Sequence, residues 1–464
     1  MKRFGVAGSV LLATLMAATA AGAGTLDDVK ARGVGPGVAV LISAPTRADY
    51  VLCALGVLNS GGVAVLADPQ LPTADRHALA QRSHASWVLE GLSPEGALLA
   101  SPGPGGALLD ARAALVIFTS GSSGPPKAVV LSGEGVLANV DAILSYLPVA
   151  DAPRTAVALP LFYSYALVGQ VFTALRVGGT AVLLAPTSFP AEQLAALKKA
   201  KSDGFSSVAL GLRRLCEVAL ETPAKERPAL HYLASAGGPL DADTRALMKK
   251  AFPQARLFNQ YGLTEASPRV SALSNKEAAF EAGSCGRTIP GVSISIEGDD
   301  GAVCAAGEDG HVIVRGPSVM LGYLDDAEAT ARVLRTDGSL FTNDRGHLDA
   351  NGFLYVSGRS DGVVKVAGVR VSLEQVSAQL RATAGVDVCV VGVEDSRFGT
   401  RLVAFVEGDD AQVTAAKTAV ASLSPPARPA KFVALVPLPR TANGKPQLDV
   451  LRRHAAEVLG PRSA

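Results

Sequence analysis

Short apolar runs of strand length recur along the first half of the chain, at 38–42, 155–159, 180–184, 206–210 and 232–236. Between them lie stretches with apolar residues at helical spacing, such as 191–201 and 241–251. Alternation of this kind predicts parallel sheets buried on both faces and covered by helices, an α/β fold. After about Gly283 the texture changes. VSISIEG, HVIVRGP and FLYVSGR alternate apolar and polar positions between Gly- and Asp-rich turns, which predicts a more antiparallel, β-rich subdomain over about 284–358. A polar break, GRSDG, then precedes a last region with elements of its own. There Ser372 and Gln375 form a capping-box pattern, Leu373, Val376 and Leu380 make an apolar stripe, and strands are expected at 386–393 and 402–406. The expected division is a large N-terminal domain, 1–358, and a small α+β C-terminal domain, 359–464.

One run sits outside this rhythm. Residues 4–26 carry no charge, follow Lys2 and Arg3, and end in small residues, the outline of a secretory signal. The rival reading is an Ala-rich helix kept in the mature protein and buried against the first sheet. The chemistry below favours the second, with a cytoplasmic location. The remaining composition narrows the class. Forty-three Lys and Arg balance 42 Asp and Glu, so nothing points to nucleic acid or an anionic membrane as partner. The five cysteines are scattered without a CxxC pair and the six histidines lack ligand spacing, which argues against a disulfide framework and structural zinc.

The segment 118–132, FTSGSSGPPKAVVLS, lies between the apolar runs 113–118 and 128–131. Gly, Ser and Pro clusters are ordinary turn chemistry. Delivered by a buried strand, however, the hydroxyls of Thr119, Ser120, Ser122 and Ser123, the backbone around Gly121 and Gly124, and the Lys127 ammonium make a cradle for phosphate. It is not a Walker A loop, because Pro126 precedes the lysine and Ala128 follows it. Four more polar, glycine-bearing stretches end apolar runs in the same way. They are SAGGPL (235–240), NQYGLTEAS (259–267), the segment 341–368 and PRTANGKPQ (439–447).

Five such loops in this order resemble the ANL superfamily of AMP-forming adenylating enzymes, from about Gly35 to about Arg453. The resemblance implies a large domain holding the substrates and a small, mobile domain that closes over them in two orientations. A carboxylic acid would attack the α-phosphorus of ATP and expel pyrophosphate. Both partners are anionic, so the site must supply cations and oriented donors.

Carried over residue by residue, 119–127 would hold the β- and γ-phosphates. Glu265 would carry Mg²⁺, with Thr264 near the α-phosphate. Gly237, Gly238 and Pro239 would form the strip on which adenine lies, with Tyr261 over its other face. Asn259, Gln260 and Gly262 complete that nucleotide-binding stretch. Asp344 matches the ribose-binding carboxylate, Arg359 a second ribose contact, Asp361 the hinge, and Gly368 the passage for a thiol arm. Lys445 corresponds to the lysine that bridges the attacking carboxylate and the α-phosphate. The departures are Ser123 for a commoner Thr, Asn343 for the usual Gly, and Tyr163 for a His at the mouth of the acyl pocket. The opening segment of a typical member also has no counterpart here.

Residues 152–191 contain no Asp or Glu to pair with a substrate ammonium, so an α-amino acid is not expected. Phe162, Tyr163, Tyr165 and Phe172, with Ala236, point to an apolar or aryl pocket, hence an aromatic or short-to-medium aliphatic acid. The acceptor is expected to be coenzyme A, with a carrier-protein phosphopantetheine offering the same thiol. The competing class is a relative that binds nucleotide without turnover. Intact Lys445, Glu265 and Asp344 argue against it. No membrane span is expected, and a monomer or homodimer fits equally.

Overall fold

The computed structural model describes residues 27–459, apart from 46, 95, 120–125, 186–188, 360–361, 367–368, 396–398 and 442–443. The 4–26 run, the phosphate-loop residues Ser120 to Gly124, Asp361 and Gly368 therefore lie outside the described residues.

Two seven-stranded sheets form the larger part. In the first, Ala113–Thr119, Val63–Leu66, Ala39–Ile42 and Trp87–Leu92 run parallel. Antiparallel strands close both edges: Leu98–Pro102 on one side, Lys127–Ser132 and the two-residue Gly322–Tyr323 on the other. In the second, Arg256–Gly262, Tyr232–Ser235, Gly204–Ser207, Arg154–Val157 and Thr180–Leu183 are parallel, flanked by the antiparallel Arg269–Ser274 and Arg287–Thr288. The four-residue strands Ala39–Ile42 and Val63–Leu66 are buried at every position, as a parallel sheet covered on both faces requires.

The apolar run at 206–210 does not stay a strand. Gly204–Ser207 forms the strand, and Ala209 already opens the helix Ala209–Glu221. An unbroken apolar run cannot distinguish a buried strand from a buried helix face, so the boundary fell inside it.

The β-rich texture becomes a four-stranded antiparallel sheet of Ser293–Glu297, Gly310–Arg315, Leu340–Leu348 and Leu354–Arg359. Beyond it come the hairpin Val363–Val366/Val369–Ser372 and the sheet Val388–Asp395, Gly399–Glu407, Lys431–Leu435, packed by helices Leu373–Ala384, Asp410–Ala419 and Leu448–Leu459. Ser372 caps the first of these helices by accepting the Gln375 N–H at 3.3 Å, and Leu373, Val376 and Leu380 are buried as the stripe predicted. Two hydrophobic clusters serve this last region. Among the described residues none before 364 contributes to either. No helix of the described residues is long and apolar enough to cross a membrane.

Candidate functional site

The carboxyl ends of the parallel strands, the four-stranded sheet and the C-terminal region surround one cleft of about 1740 Å³. Thr119 and Lys127 reach it as cross-strand partners at the loop end of their hairpin. The Lys127 ammonium stands 4.8 Å from the centre of the Tyr323 ring. The Tyr323 hydroxyl in turn donates to Glu265 Oε1 at 2.9 Å. One tyrosine thus ties the loop lysine to the carboxylate of the YGLTE stretch.

That stretch is shaped by a glycine. Arg256–Gly262 pairs with Arg269–Ser274 with a bulge at Tyr261/Gly262. A Cβ at Gly262 would lie 1.9 Å from the Pro268 carbonyl oxygen, so no other residue fits without moving the backbone. The turn then sets Thr264 and Glu265 at the cleft. Thr264 Oγ1 shares a 3.1 Å hydrogen bond with Ser164 Oγ, from the short helix following Tyr163. Tyr163 lines the cleft beside it, its phenol pushed up to about 12 by burial.

Gly237 and Gly238 form a bare wall. Gly237 has φ +85°, a left-handed conformation that glycine takes without strain, and a Cβ at Gly238 would meet nothing within 4 Å. Ala236 and Pro239 flank them on the same wall. Tyr261 faces the cleft too, and its hydroxyl donates to Asp344 Oδ2 at 2.6 Å. Gln260 also lines the cleft, whereas Asn259 does not. Asn259 is buried, its amide donating to the Ser284 carbonyl at 2.8 Å, and it holds two segments together.

Asp344 and Arg359 face each other across adjacent strands, with Arg359 Nη1 3.5 Å from Asp344 Oδ1. Asn343, just before, has φ +61°. That left-handed position explains why asparagine can replace the glycine of the family pattern, since its short polar side chain tolerates this region. Burial holds the Asp344 carboxyl above the usual carboxylate range, while Arg359 and Tyr261 pull the other way.

Lys445 enters from the far side. Its turn is closed by a hydrogen bond from Thr441 N–H to the Lys445 carbonyl at 2.8 Å, with Gly444 at φ +79°. Arg440 anchors the turn through ion pairs to Asp387 and Glu407. The lysine side chain touches the water of the cleft, yet the surrounding protein strips enough hydration to lower its pKa, and Asp344, Glu374 and Glu265 oppose that shift. The Glu374 carboxyl is raised, first by burial and then by Asp344. Glu265, Asp344, Glu374, Arg359 and Lys445 therefore form one charge cluster in the cleft.

Among the described residues no group of three His, Cys, Asp or Glu could hold a metal alone. The Glu265 carboxylate keeps one oxygen beyond its bond to Tyr323, which suits a Mg²⁺ that arrives with nucleotide phosphates and takes a single protein carboxylate.

Of the expected residues, Thr119, Lys127, Tyr163, Ala236, Gly237, Gly238, Pro239, Gln260, Tyr261, Gly262, Thr264, Glu265, Asp344, Arg359 and Lys445 all line this cleft. Sequence reasoning missed Tyr323, Ser164, Glu374 and Arg269, which line it as well. Tyr323 sits on a two-residue strand too short for any period, and Glu374 reads as an ordinary first-turn helix acid.

The AMP-binding enzyme family matches residues 108–324, and the AMP-binding enzyme C-terminal domain matches residues 374–445. A feruloyl-CoA synthase from Amycolatopsis is 30% identical over 400 residues, 80% of this chain and 79% of that protein. A D-alanine–D-alanyl carrier protein ligase from Lactiplantibacillus plantarum is 31% identical over 362 residues, 71% of this chain and 68% of that protein. The solved o-succinylbenzoate CoA synthetase of Bacillus subtilis, in complex with its acyl-adenylate, superposes with a TM-score of 0.79 at 25% identity, covering 93% of this chain and 92% of its own. With both matches seated on the walls of this cleft, the chain belongs to the AMP-binding enzymes, the ANL superfamily of AMP-forming adenylating enzymes.

Proposed function

We propose that the protein is an acyl-acid ligase that condenses a non-amino carboxylic acid with ATP, releasing pyrophosphate, and passes the acyl group to the thiol of coenzyme A. The observation that carries this reading is the meeting of Lys445 with Thr264, Glu265 and Asp344 in one cleft. A cation beside the α-phosphate offsets the repulsion between the attacking carboxylate and the nucleotide. Asp344 would accept hydrogen bonds from the ribose hydroxyls, with Arg359 as the second ribose contact. Gly237 to Pro239 and Tyr261 would enclose the base, and Thr119 to Lys127 would hold the outer phosphates. Glu265 would hold Mg²⁺, which neutralises phosphate charge when bound. ATP and coenzyme A, the substrates of this reading, place the reaction in the cytoplasm.

A carrier-protein acceptor is the second reading, favoured by the 31% identity to a D-alanyl carrier protein ligase. Both acceptors present a pantetheine thiol, so radiolabelled acid offered with coenzyme A or with phosphopantetheinylated carrier protein separates them.

The reaction class is tested by acid-dependent ATP–pyrophosphate exchange. The expected products are AMP and pyrophosphate, and Glu265→Gln should raise the Mg²⁺ requirement far more than the KM for the acid. Release of ADP and orthophosphate would overturn the assignment.

A further inference from the structure

Arg269 is 2% exposed and lines the cleft, yet no carboxylate of the described residues lies within salt-bridge distance of its guanidinium. Its Nε is buried without a hydrogen-bond partner. The groups that meet the guanidinium are uncharged: the Tyr165 ring, whose centre is 4.9 Å from Cζ, and the hydroxyls of Tyr146 and Tyr165. Attraction to a ring face replaces only part of the hydration an arginine loses on burial, so a buried guanidinium normally carries a counter-charge.

Its position is not accidental. Arg269 N–H donates to Asn139 Oδ1 at 3.1 Å, and Asn139 Nδ2 donates back to the Arg269 carbonyl at 2.8 Å. The backbone is thus gripped on both sides, at the start of the strand Arg269–Ser274 and close behind Thr264 and Glu265. Gly169 packs beside it, where a Cβ would lie at an ordinary contact distance of 3.8 Å from Arg269 Nη2. Gln260, on the same wall, bonds Tyr146 through Nε2 at 2.8 Å and leaves Oε1 buried and unpartnered.

Resting on the ligase reading above, we propose that the inner end of the acyl pocket takes an acid with a second anionic group, a second carboxylate at its tail, which pairs with Arg269. This narrows the apolar pocket expected from Phe162, Tyr163, Tyr165 and Phe172: of these, only Tyr163 and Tyr165 line the cleft, and Arg269 stands behind Tyr165.

The test is ATP–pyrophosphate exchange with matched pairs: each aliphatic monocarboxylic acid against the dicarboxylic acid of equal length, and benzoate against carboxybenzoates. Wild-type protein should prefer the dicarboxylic member of at least one pair by about 10²-fold in kcat/KM, since a site built for a polar group rejects the analogue lacking it. Arg269→Met should erase that preference while sparing the monocarboxylic acid, and Arg269→Lys should keep part of it. Wild-type preference for the apolar member in every pair would overturn the proposal without needing any variant to fold. An equal loss for all acids in a folded Arg269→Met protein would also overturn it, by placing Arg269 at the reacting carboxylate. Exchange with neither series would overturn the ligase reading and this inference with it.

Discussion

Asp344 shows what a single residue gives up for function. Its carboxyl is buried, and burial outweighs the help of Arg359 and Tyr261, so its pKa is raised. A raised carboxylate binds its proton more tightly in the folded state than in the unfolded chain. Its contribution to stability is therefore present at acid pH and is lost as pH rises through the folded pKa. Glu374 is shifted in the same direction, and Lys445 is lowered, so the unliganded cluster is held in place by its surroundings rather than by its own charges. Asp344→Asn should thus raise the thermal midpoint of the unliganded protein, by more at neutral pH than near pH 4, while abolishing detectable nucleotide binding. Melting curves across that range check it. A variant less stable than wild type at neutral pH, with the gap closing toward acid, would show that the ion pair with Arg359 outweighs the cost of burial.

At the scale of elements, the strand Gly322–Tyr323 does more than close a sheet edge. Pairing with Val129 and Val130 places the Tyr323 ring over Lys127 and its hydroxyl on Glu265. The two contacts separate by substitution. Tyr323→Phe keeps the ring and loses a hydrogen bond to a charged group, a type worth about 1.5–3 kcal/mol, so the Mg²⁺ dependence of exchange should shift by roughly tenfold or more. Tyr323→Leu also loses the cation–π contact, worth about 0.5–1 kcal/mol, and should add a severalfold rise in the KM for ATP. Identical profiles for the two variants would mean that the ring does nothing for Lys127. Such short elements also mark what the sequence could and could not convey. Short unbroken apolar runs announced the parallel sheets and an apolar stripe the Ser372-capped helix, because burial on two faces or along one stripe each leaves its own trace. The loops of the site were legible because glycine is forced where backbones approach, as at Gly262 against Pro268. Tyr323, Ser164 and Arg269 left no trace, since each acts through contacts with residues distant in the chain. Asn259 differs: it lies in the right stretch and on the same strand face as Tyr261, but two residues deeper in the strand, where its amide meets the Ser284 carbonyl instead of the cleft.

The whole molecule is organised so that one face of the C-terminal region closes the cleft. Its cores are its own, yet it contributes Lys445 and Glu374 to a charge cluster whose other members are Asp344 and Arg359, paired on the four-stranded sheet, and Glu265. The Arg440 ion pairs to Asp387 and Glu407 fix the Lys445 turn to its own sheet. The family resemblance implies a second orientation, reached near Asp361, in which Lys445 has left the cleft and the thiol approaches instead. The charge logic favours such a division. In the proposed reaction Lys445 would be needed while two anions converge and would have no equivalent task once pyrophosphate has gone. Lys445→Ala should therefore slow acyl-adenylate formation by ~10²-fold or more, the usual worth of a positioned charge. Thioester formation from acyl-adenylate supplied ready-made should stay within a few-fold of wild type, because the lysine is then elsewhere. Single-turnover measurements of each half-reaction decide between the two outcomes. An equal loss in both would mean that Lys445 serves the cleft in one fixed arrangement, and that this protein carries out both steps without moving its C-terminal region.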